Sequence, residues 1–301
     1  MKAVVLKGYG DVDVLAVQEM PEPKVGPGEV KVRVTAASIN PVDWKIRRGD
    51  MKGRADLKLP LILGRDVSGE VVEVGTGVEA FEPGDRVMGL VNAGYAETVV
   101  APTECWAKVP DNLDLKDAAA LPLVTLTGTQ LIEEHVRPSQ GDTVLVTGAL
   151  GAVGRSAIFA ARARGARIWA GVRSKQVEEA RMLGVDGVVA LDDPKDVARL
   201  PTLDAVADTV GGEAVAAVLD KVKHGGTVGS VLGEPKGAKE KGLVVRSFMA
   251  HPDGHRLSQL AESAAKGDLV IPISRTFKLD DAREAQKLAE QSGVGKVLLV
   301  N

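Results

Sequence analysis

The segment TGALGAVGR, residues 147–155, decides the fold of this chain. It follows the apolar run DTVLV and leads into the amphipathic stretch AVGRSAIFAARARG, which ends at a glycine. A buried strand, a glycine-rich turn and a helix in this order are typical of the first unit of a dinucleotide-binding sheet. The same glycines can also serve only to pack a helix closely against a strand. The segments on either side of the turn distinguish a nucleotide-binding turn from a turn that serves packing only.

The turn fits the G-x-G-x-x-G fingerprint with one departure, because Ala149 stands in the first glycine position. Gly151 lets the backbone approach a pyrophosphate at the helix N-terminus, and Gly154 permits close contact between helix and strand. Gly148 gives the turn additional conformational freedom. Since a strand precedes the turn, a helix follows it and the unit repeats along the chain, we interpret it as a nucleotide turn.

Two kinds of pattern divide the chain into domains. From about residue 121, strand-like runs (ARIWAGV, GVVAL, LDAVADTVGG, GGTVGSVLG) alternate with helical ones (VEEARMLG, EAVAAVLDKVK), which predicts a doubly wound parallel sheet. Earlier runs such as GEVKVRVTAASI alternate apolar and polar residues and predict a partly open β-barrel. The final runs LVIPISRTF and GKVLLV have no place in the alternating sheet, so we expect them to rejoin the barrel. The predicted domains are 1–120 with 268–301 and, inserted between them, 121–267.

Composition limits the class of partner. A formal charge of −3 and 3% aromatic residues provide neither a basic surface nor stacking platforms for nucleic acid. No apolar run has the length of a membrane helix, and the first eight residues, MKAVVLKG, lack the apolar stretch of a secretory signal. The single cysteine, Cys105, excludes an internal disulfide and a multi-thiolate metal site. We therefore expect a cytoplasmic protein that acts on a small molecule.

The end of the second strand predicts which cofactor is preferred. NAD-specific folds usually place an acid there, about twenty residues beyond the turn, to bind the ribose 2′-hydroxyl. This chain reads WAGVRSKQ, and no acid occurs before Glu178. Arg173, Ser174 and Lys175 offer two cations and a hydroxyl, which suit a 2′-phosphate, although a solvated loop is the alternative. The sequence therefore predicts NADPH in preference to NADH.

Beyond this turn, the chain resembles the zinc-independent quinone oxidoreductase branch, the zeta-crystallin-like enzymes, of the medium-chain dehydrogenase/reductase superfamily. The resemblance is carried by ASINPVDWKIRRG, LPLILGRDVSGEVVEVG, FEPGDRVMG, GYAETVV, AAALPLVTLTGTQ, GDTVLVTGALGAVG, DTVGGE and GVGKVLLV, and it covers nearly all of the chain. It implies a GroES-like barrel with a Rossmann domain and a homodimer formed through the edge of the nucleotide-binding sheet. It also implies NADPH-dependent reduction of quinones or α,β-unsaturated carbonyl compounds.

The resemblance also bears on metal chemistry. The catalytic zinc ligands of zinc-dependent relatives correspond to Asn40, Arg65 and a position near Leu123. Amide, guanidinium and alkyl groups cannot replace thiolate and imidazole, so we expect no metal. Without a Lewis acid, hydride transfer needs an acceptor that stabilises negative charge by its own conjugation, as quinones and enones do.

In the first domain the candidate catalytic residues are Asn40 and Asp43, from the segment that carries the resemblance, and Arg65, which departs from the family pattern. Asn40 is expected beside the nicotinamide, with its amide donating a hydrogen bond to the substrate carbonyl. Asp43 either orients the neighbouring loop or only caps a turn after Pro41. Arg65 either binds an anionic group of the substrate or pairs with Asp66 or Asp43. Tyr95 is more often structural than a proton donor at such a position.

In the second domain Thr127 is expected to contact the nicotinamide side of the cofactor, to cap a helix N-terminus, or both. Phe248 is expected to contribute backbone contacts to the carboxamide, the alternative being a buried strand aromatic. The further cofactor contacts expected from the glycine turn, the end of the second strand and the resemblance are Gly148, Ala149, Leu150, Gly151, Ala152, Val153, Arg173, Ser174, Lys175, Thr209, Val231, Leu232 and Met249.

Two other functions remain open at the level of sequence. An enoyl-thioester reductase would need a basic entrance for a phosphopantetheine arm, and KIRRGDMKGR, residues 45–54, is basic. A structural or regulatory NADPH-binding protein could keep the glycine turn while losing Asn40. The presence of Asn40 favours catalysis.

Overall fold

The chain folds into two compact units in the computed structural model, which describes residues 1–53, 57–291 and 293–301. Unit 1 comprises Met1–Leu123 and Pro252–Asn301, and unit 2 comprises Val124–His251. The first boundary lies close to the predicted residue 120. The second differs from the predicted residue 267, because the helix that starts at Gly254 packs on unit 1, where a Cβ on Gly254 would lie 2.2 Å from the carbonyl oxygen of Trp106. The predicted basic segment 45–54 ends at Arg54, which lies outside the described residues.

The described residues form sixteen strands and nine α-helices. The strands are β1 (Lys2–Leu6), β2 (Leu15–Glu19), β3 (Glu29–Ile39), β4 (Leu61–Ile62), β5 (Asp66–Val74), β6 (Arg86–Leu90), β7 (Thr98–Pro102), β8 (Trp106–Lys108), β9 (Thr143–Thr147), β10 (Arg167–Val172), β11 (Gly187–Ala190), β12 (Leu203–Asp208), β13 (Val222–Ser230), β14 (Val244–Ser247), β15 (Ile273–Lys278) and β16 (Lys296–Val300). The helices are α1 (Pro41–Arg48), α2 (Leu115–Ala118), α3 (Pro122–Gln130), α4 (Ala152–Ala163), α5 (Val177–Arg181), α6 (Pro194–Ala198), α7 (Gly212–Ala216), α8 (Gly254–Ala265) and α9 (Ala282–Ala289). A π-helix, Leu131–Val136, continues α3.

Unit 1 is built around β3, whose alternating sequence buries Val30, Val32 and Val34 and turns the charged residues between them outward. The strands are arranged as a three-stranded sheet, β2-β1-β4, and a seven-stranded sheet, β15-β16-β3-β5-β6-β8, with β7 also paired to β3. The last strand, β16, runs antiparallel to β3 with Val297 opposite Ile39. The end of the chain therefore rejoins the barrel, as predicted, and brings Lys296 to the carboxyl end of β3.

Unit 2 contains a six-stranded parallel sheet in the order β11-β10-β9-β12-β13-β14. This is the doubly wound arrangement, and the order reverses between β9 and β12, where ligands bind at the carboxyl ends of the strands. The run 213–223, predicted as one helix, is divided between α7, a short 3-10 turn and the start of β13. The helix stops early because Val222 pairs with Leu203 across the sheet. Within the part of the chain that the structure describes, no helix is long and apolar enough to span a membrane.

Candidate active site

The glycine turn joins the end of β9 to the start of α4, and its three glycines meet different surroundings. Gly148 has φ +62°, a backbone conformation that glycine adopts freely and that is strained for residues with a Cβ. A Cβ on Gly154 would lie 2.3 Å from the carbonyl oxygen of Gly148, so the helix needs glycine there to approach the turn. A Cβ on Gly151 would meet only that same oxygen, at 3.2 Å. The space in front of Gly151 is therefore open to the extent that the described residues show, and it fits a pyrophosphate on the N–H groups of the first turn of α4, which have no partner within the helix.

A buried carboxylate, Asp208, holds the turn in place. Its Oδ1 accepts the hydroxyl of Thr147 at 2.8 Å, and its Oδ2 accepts the hydroxyl of Ser230 at 2.8 Å. Thr209 is linked to Asp208 through Thr147, because its backbone N–H donates to the Thr147 hydroxyl at 2.9 Å. Asp208 thus ties together the carboxyl ends of β9, β12 and β13, and is itself fully buried. Sequence reasoning missed it, although an acid at the end of the apolar run LDAVA was a signal.

The other residues predicted to bind the cofactor lie near the glycine turn, at or just after the carboxyl ends of the parallel strands. The Thr209 hydroxyl donates to the carbonyl of Thr147 at 2.7 Å, and the Val231 N–H donates to the carbonyl of Asp208 at 3.2 Å. Leu232 and Met249 are 45% and 70% exposed. Ala149 is buried, whereas Leu150, Ala152 and Val153 are half-buried. The structure therefore places these predicted cofactor-binding residues together at the carboxyl ends of the strands. The side chains of Leu232 and Met249 are exposed there.

Two of the alternatives considered for this unit are wrong. Thr127 lies within α3 and not at its start, so it is not a helix N-cap. Phe248 follows β14 rather than lying in a strand, and it is half-buried. Its ring stacks on His135 of the π-helix with a centroid distance of 4.0 Å and an interplanar angle of 21°. Burial lowers the pKa of His135. The cofactor contacts predicted for Thr127 and Phe248 stay predictions.

Arg173, Ser174 and Lys175 form an exposed turn directly after β10. Both donors of Ser174, the backbone N–H and the hydroxyl, bind Oδ1 of Asp192 at 2.7 Å each. Asp192 follows β11, the neighbouring strand, in which Ala190 pairs with Val172 of β10. The sequence prediction looked for a ribose-binding acid at the end of β10 and did not identify Asp192.

In unit 1, Asn40 belongs to a buried polar network. Its Nδ2 donates to Oδ2 of Asp66 at 2.8 Å, and its Oδ1 accepts from Nζ of Lys296 at 2.8 Å. Lys296 also contacts Oδ2 of Asp66 at 3.3 Å. Ser38 donates to Oδ2 of Asp66 at 2.7 Å, and the backbone N–H of Leu123 donates to Oδ1 at 2.7 Å. Burial lowers the pKa of Lys296, while the attraction of Asp66 opposes this shift.

The same network fixes the orientation of Asn40. The Lys296 ammonium group can only donate hydrogen bonds, so the Asn40 atom that it contacts is the acceptor Oδ1 and the other amide atom is the donor Nδ2. One Nδ2 hydrogen is directed at Asp66, and the only other contact of Nδ2 among the described residues is to the carbonyl of Ser38 at 3.4 Å. Asn40 is therefore held as a hydrogen-bond donor, and Lys296 and Asp66 are the residues that hold it. Sequence reasoning identified neither of the two.

Asp43 and Tyr95 form a second buried pair beside this network. Oδ2 of Asp43 accepts the Tyr95 hydroxyl at 2.8 Å and the Asn40 backbone N–H at 2.8 Å, while Oδ1 accepts the N–H of Gly64 at 3.2 Å. Burial raises the pKa of Asp43 to about 6. Asp43 thus joins the loop at Gly64 to the start of α1, where it accepts the N–H of the N-cap residue Asn40. A role of Asp43 in catalysis stays a prediction. The Tyr95 side chain is fully buried and has a structural role.

Arg65 does not form the ion pair considered above. Its Nε donates to the carbonyl of Val91 at 2.9 Å, and no ion pair with Asp66 or Asp43 is present among the described residues. That alternative is wrong because Lys296 already neutralises Asp66. Binding of an anionic substrate group by Arg65 stays a prediction.

The donor set at the positions of the relatives' zinc ligands does not fit a zinc ion. The Asn40 amide is engaged by Asp66 and Lys296, Arg65 carries a guanidinium, and Leu123 has an alkyl side chain. Zinc needs thiolate, imidazole or carboxylate donors. Across residues 1–53, 57–291 and 293–301, no three His, Cys, Asp or Glu side chains are grouped as a metal site requires.

A barrel unit with an inserted Rossmann sheet and a glycine turn defines a two-domain, nicotinamide-dependent oxidoreductase. Residues 26–111 match the alcohol dehydrogenase GroES-like domain, and residues 183–299 match the zinc-binding dehydrogenase family. A probable quinone oxidoreductase of Schizosaccharomyces pombe is 31% identical over 317 residues, which cover 97% of this chain and 94% of that protein.

Solved structures are similar over the whole chain. The quinone oxidoreductase from Coxiella burnetii has 30% identity and a TM-score of 0.90, with 100% of this chain and 99% of the other covered. An NAD-dependent alcohol dehydrogenase has 31% identity and a TM-score of 0.87, with 100% of both chains covered. The chain belongs to the medium-chain dehydrogenase/reductase superfamily, together with these quinone oxidoreductases.

Proposed function

We propose that this protein is an NADPH-dependent reductase of quinones and α,β-unsaturated carbonyl compounds that transfers hydride without a metal ion. The observation that supports this most is the network of Asn40, Asp66 and Lys296 at the position of the relatives' zinc. The network orients the Asn40 amide with Nδ2 as its donor, and we propose that this donor takes the place of a Lewis acid. A donor of that kind suits an acceptor whose own conjugation carries most of the negative charge.

Each part of the chain has a defined task in this mechanism. The bound cofactor supplies the hydride. The N–H groups at the start of α4 bind its pyrophosphate, and Asp208 keeps the turn at Gly151 in place. Asn40 donates a hydrogen bond to the carbonyl oxygen of the acceptor, on which negative charge develops. Lys296, 2.8 Å from Oδ1 of Asn40, polarises the amide and strengthens its N–H groups as donors. Water supplies the final proton.

The acceptor assay tests this function. We expect purified protein to oxidise NADPH in the presence of quinones and enones at a rate that a chelator leaves unchanged. Asn40→Ala should lower kcat/KM about 10²-fold, the usual effect of losing one donor to a developing oxyanion. Asn112→Ala, which removes an exposed amide of the same unit, is the matched control and should leave the rate unchanged.

The same assay separates the two other functions. Oxidation of NADPH with enoyl thioesters in preference to quinones and simple enones would support the enoyl-thioester reductase. Tight NADPH binding with every acceptor failing would contradict the proposed reductase and favour a structural or regulatory role.

The preference for NADPH is assigned to Arg173 and Lys175. Arg173→Glu is expected to raise the Kd for NADPH by about 10–100-fold, because a charge-assisted hydrogen bond to the 2′-phosphate becomes a repulsion, and to leave the Kd for NADH nearly unchanged. Arg199→Glu makes the same charge change at the C-terminal end of α6 and serves as the control. Calorimetric titration measures both constants. Equal affinity of the unsubstituted protein for the two cofactors would contradict the assignment.

We also propose a homodimer formed through an edge strand of the unit 2 sheet, and a reducing, cytoplasmic setting. The second proposal is supported by the single cysteine, Cys105. Its side chain is buried, and burial raises the pKa of its thiol to about 11, so the group is unreactive.

A further inference from the structure

The turn after β10 contains an interaction that the proposed cofactor would have to break. Ser174 uses both of its donors, the backbone N–H and the hydroxyl, on a single carboxylate oxygen of Asp192. Both residues are exposed. Ser174 follows β10 and Asp192 follows β11, and these two neighbouring parallel strands end side by side. The Ser174 hydroxyl is among the groups predicted to bind the ribose 2′-phosphate.

The Asp192 carboxylate is stabilised in its charged form. The hydrogen bonds from the Ser174 hydroxyl and backbone lower its pKa, and the nearby charge of Arg173 lowers it further. At neutral pH this position therefore carries a full negative charge in contact with Ser174. A phosphate and a carboxylate compete for the same donors and repel each other.

We propose that Asp192 is a specificity-determining residue, which occupies Ser174 in competition with the 2′-phosphate and so limits the preference for NADPH over NADH. The inference rests on the proposed binding of the cofactor at residues 173–175. NADPH has to displace the carboxylate from Ser174 and then bind beside it. NADH presents a 2′-hydroxyl instead, which can donate to a carboxylate. The same side chain thus opposes one cofactor and accommodates the other.

Asp192→Asn tests the proposal, since it keeps the size of the side chain and its acceptor oxygen while removing the charge. We expect the Kd for NADPH to fall about tenfold, because one like charge is removed beside the phosphate at short range. The Kd for NADH should stay the same or rise. Adenosine 2′,5′-bisphosphate and AMP are smaller probes of the same difference, and the first should gain affinity while the second should not.

Asp220→Asn is the matched control, because it removes an exposed carboxylate of unit 2 that pairs with Lys241. It should leave both constants unchanged, which excludes a general effect of net charge. An unchanged ratio of the two Kd values in Asp192→Asn, with the unsubstituted protein binding both cofactors, would overturn this inference and leave the proposed function intact. Failure of the unsubstituted protein to bind either cofactor would overturn both.

Discussion

Replacing Lys296 by methionine is expected to destabilise unit 1 by about 3–5 kcal/mol, the usual result of removing one partner from a buried ion pair. Methionine fills a similar volume, so the loss is chiefly electrostatic. The Asp66 carboxylate would remain fully buried and, among the described residues, would keep only the donors Ser38, Asn40 and Leu123. Asn40 would at the same time lose the ammonium that fixes its Oδ1, so kcat/KM should fall as well.

Thermal unfolding measures the loss of stability. For a domain of this size the midpoint should fall by roughly 10 °C.

Two further variants make the Lys296 result specific. Lys287→Met removes an exposed lysine from α9 in the same unit and should leave the midpoint unchanged. The double variant Lys296→Met with Asp66→Asn removes both charges and should recover much of the lost stability. A single Lys296→Met variant as stable as the unsubstituted protein would show that the network does not hold Asn40 in the way described.

The second large effect is expected at the glycine turn, where two substitutions of the same size should behave differently. Gly151→Ala places a methyl group in the open space before α4, where it meets only one protein atom, at 3.2 Å. We expect the folded state to tolerate it while the Kd for NADPH rises at least about tenfold, because the pyrophosphate loses its close approach to the backbone. Gly154→Ala clashes at 2.3 Å and should lower both stability, by about 1–3 kcal/mol, and cofactor affinity.

Calorimetric titration with NADPH and thermal unfolding, measured on both variants, separate the two effects. Gly8→Ala is the control, because a Cβ there meets no atom within 4 Å. If Gly151→Ala binds NADPH as tightly as the unsubstituted protein, the turn serves packing only, which is the alternative interpretation of TGALGAVGR.

The fold was predictable from the sequence because its signals are local. The alternation in β3 and the strand, turn and helix around Gly151 each depend on residues that are neighbours in the chain. The return of the last strand to the barrel followed from a simple exclusion, since a final strand without a helix has no place in the alternating sheet. The prediction of a single helix over residues 213–223 was wrong, because pairing between Val222 and Leu203 overrides the helical periodicity of this run.

The site was predictable only in part, because its decisive contacts join distant positions. Lys296 and Asp66 are 230 residues apart, and no spacing rule relates a lysine in the last strand to an acid in the fifth. Asp192 meets Ser174 because two parallel strands end side by side, and the register that aligns them becomes visible only once the sheet is built. Asn40 was predicted from the resemblance, but the orientation of its amide follows from its contacts with Lys296, Asp66 and the carbonyl of Ser38.

The most direct test of the central claim is to follow the hydride itself. Chelator-treated protein is incubated with NADPH in which both C4 hydrogens of the nicotinamide are replaced by deuterium and with a simple enone, and the reduced product is analysed by mass spectrometry and NMR. We predict one deuterium at the carbon β to the carbonyl, in the same yield with and without the chelator. Bound NADPH that delivers no deuterium, or transfer that the chelator abolishes and added zinc restores, would contradict the account.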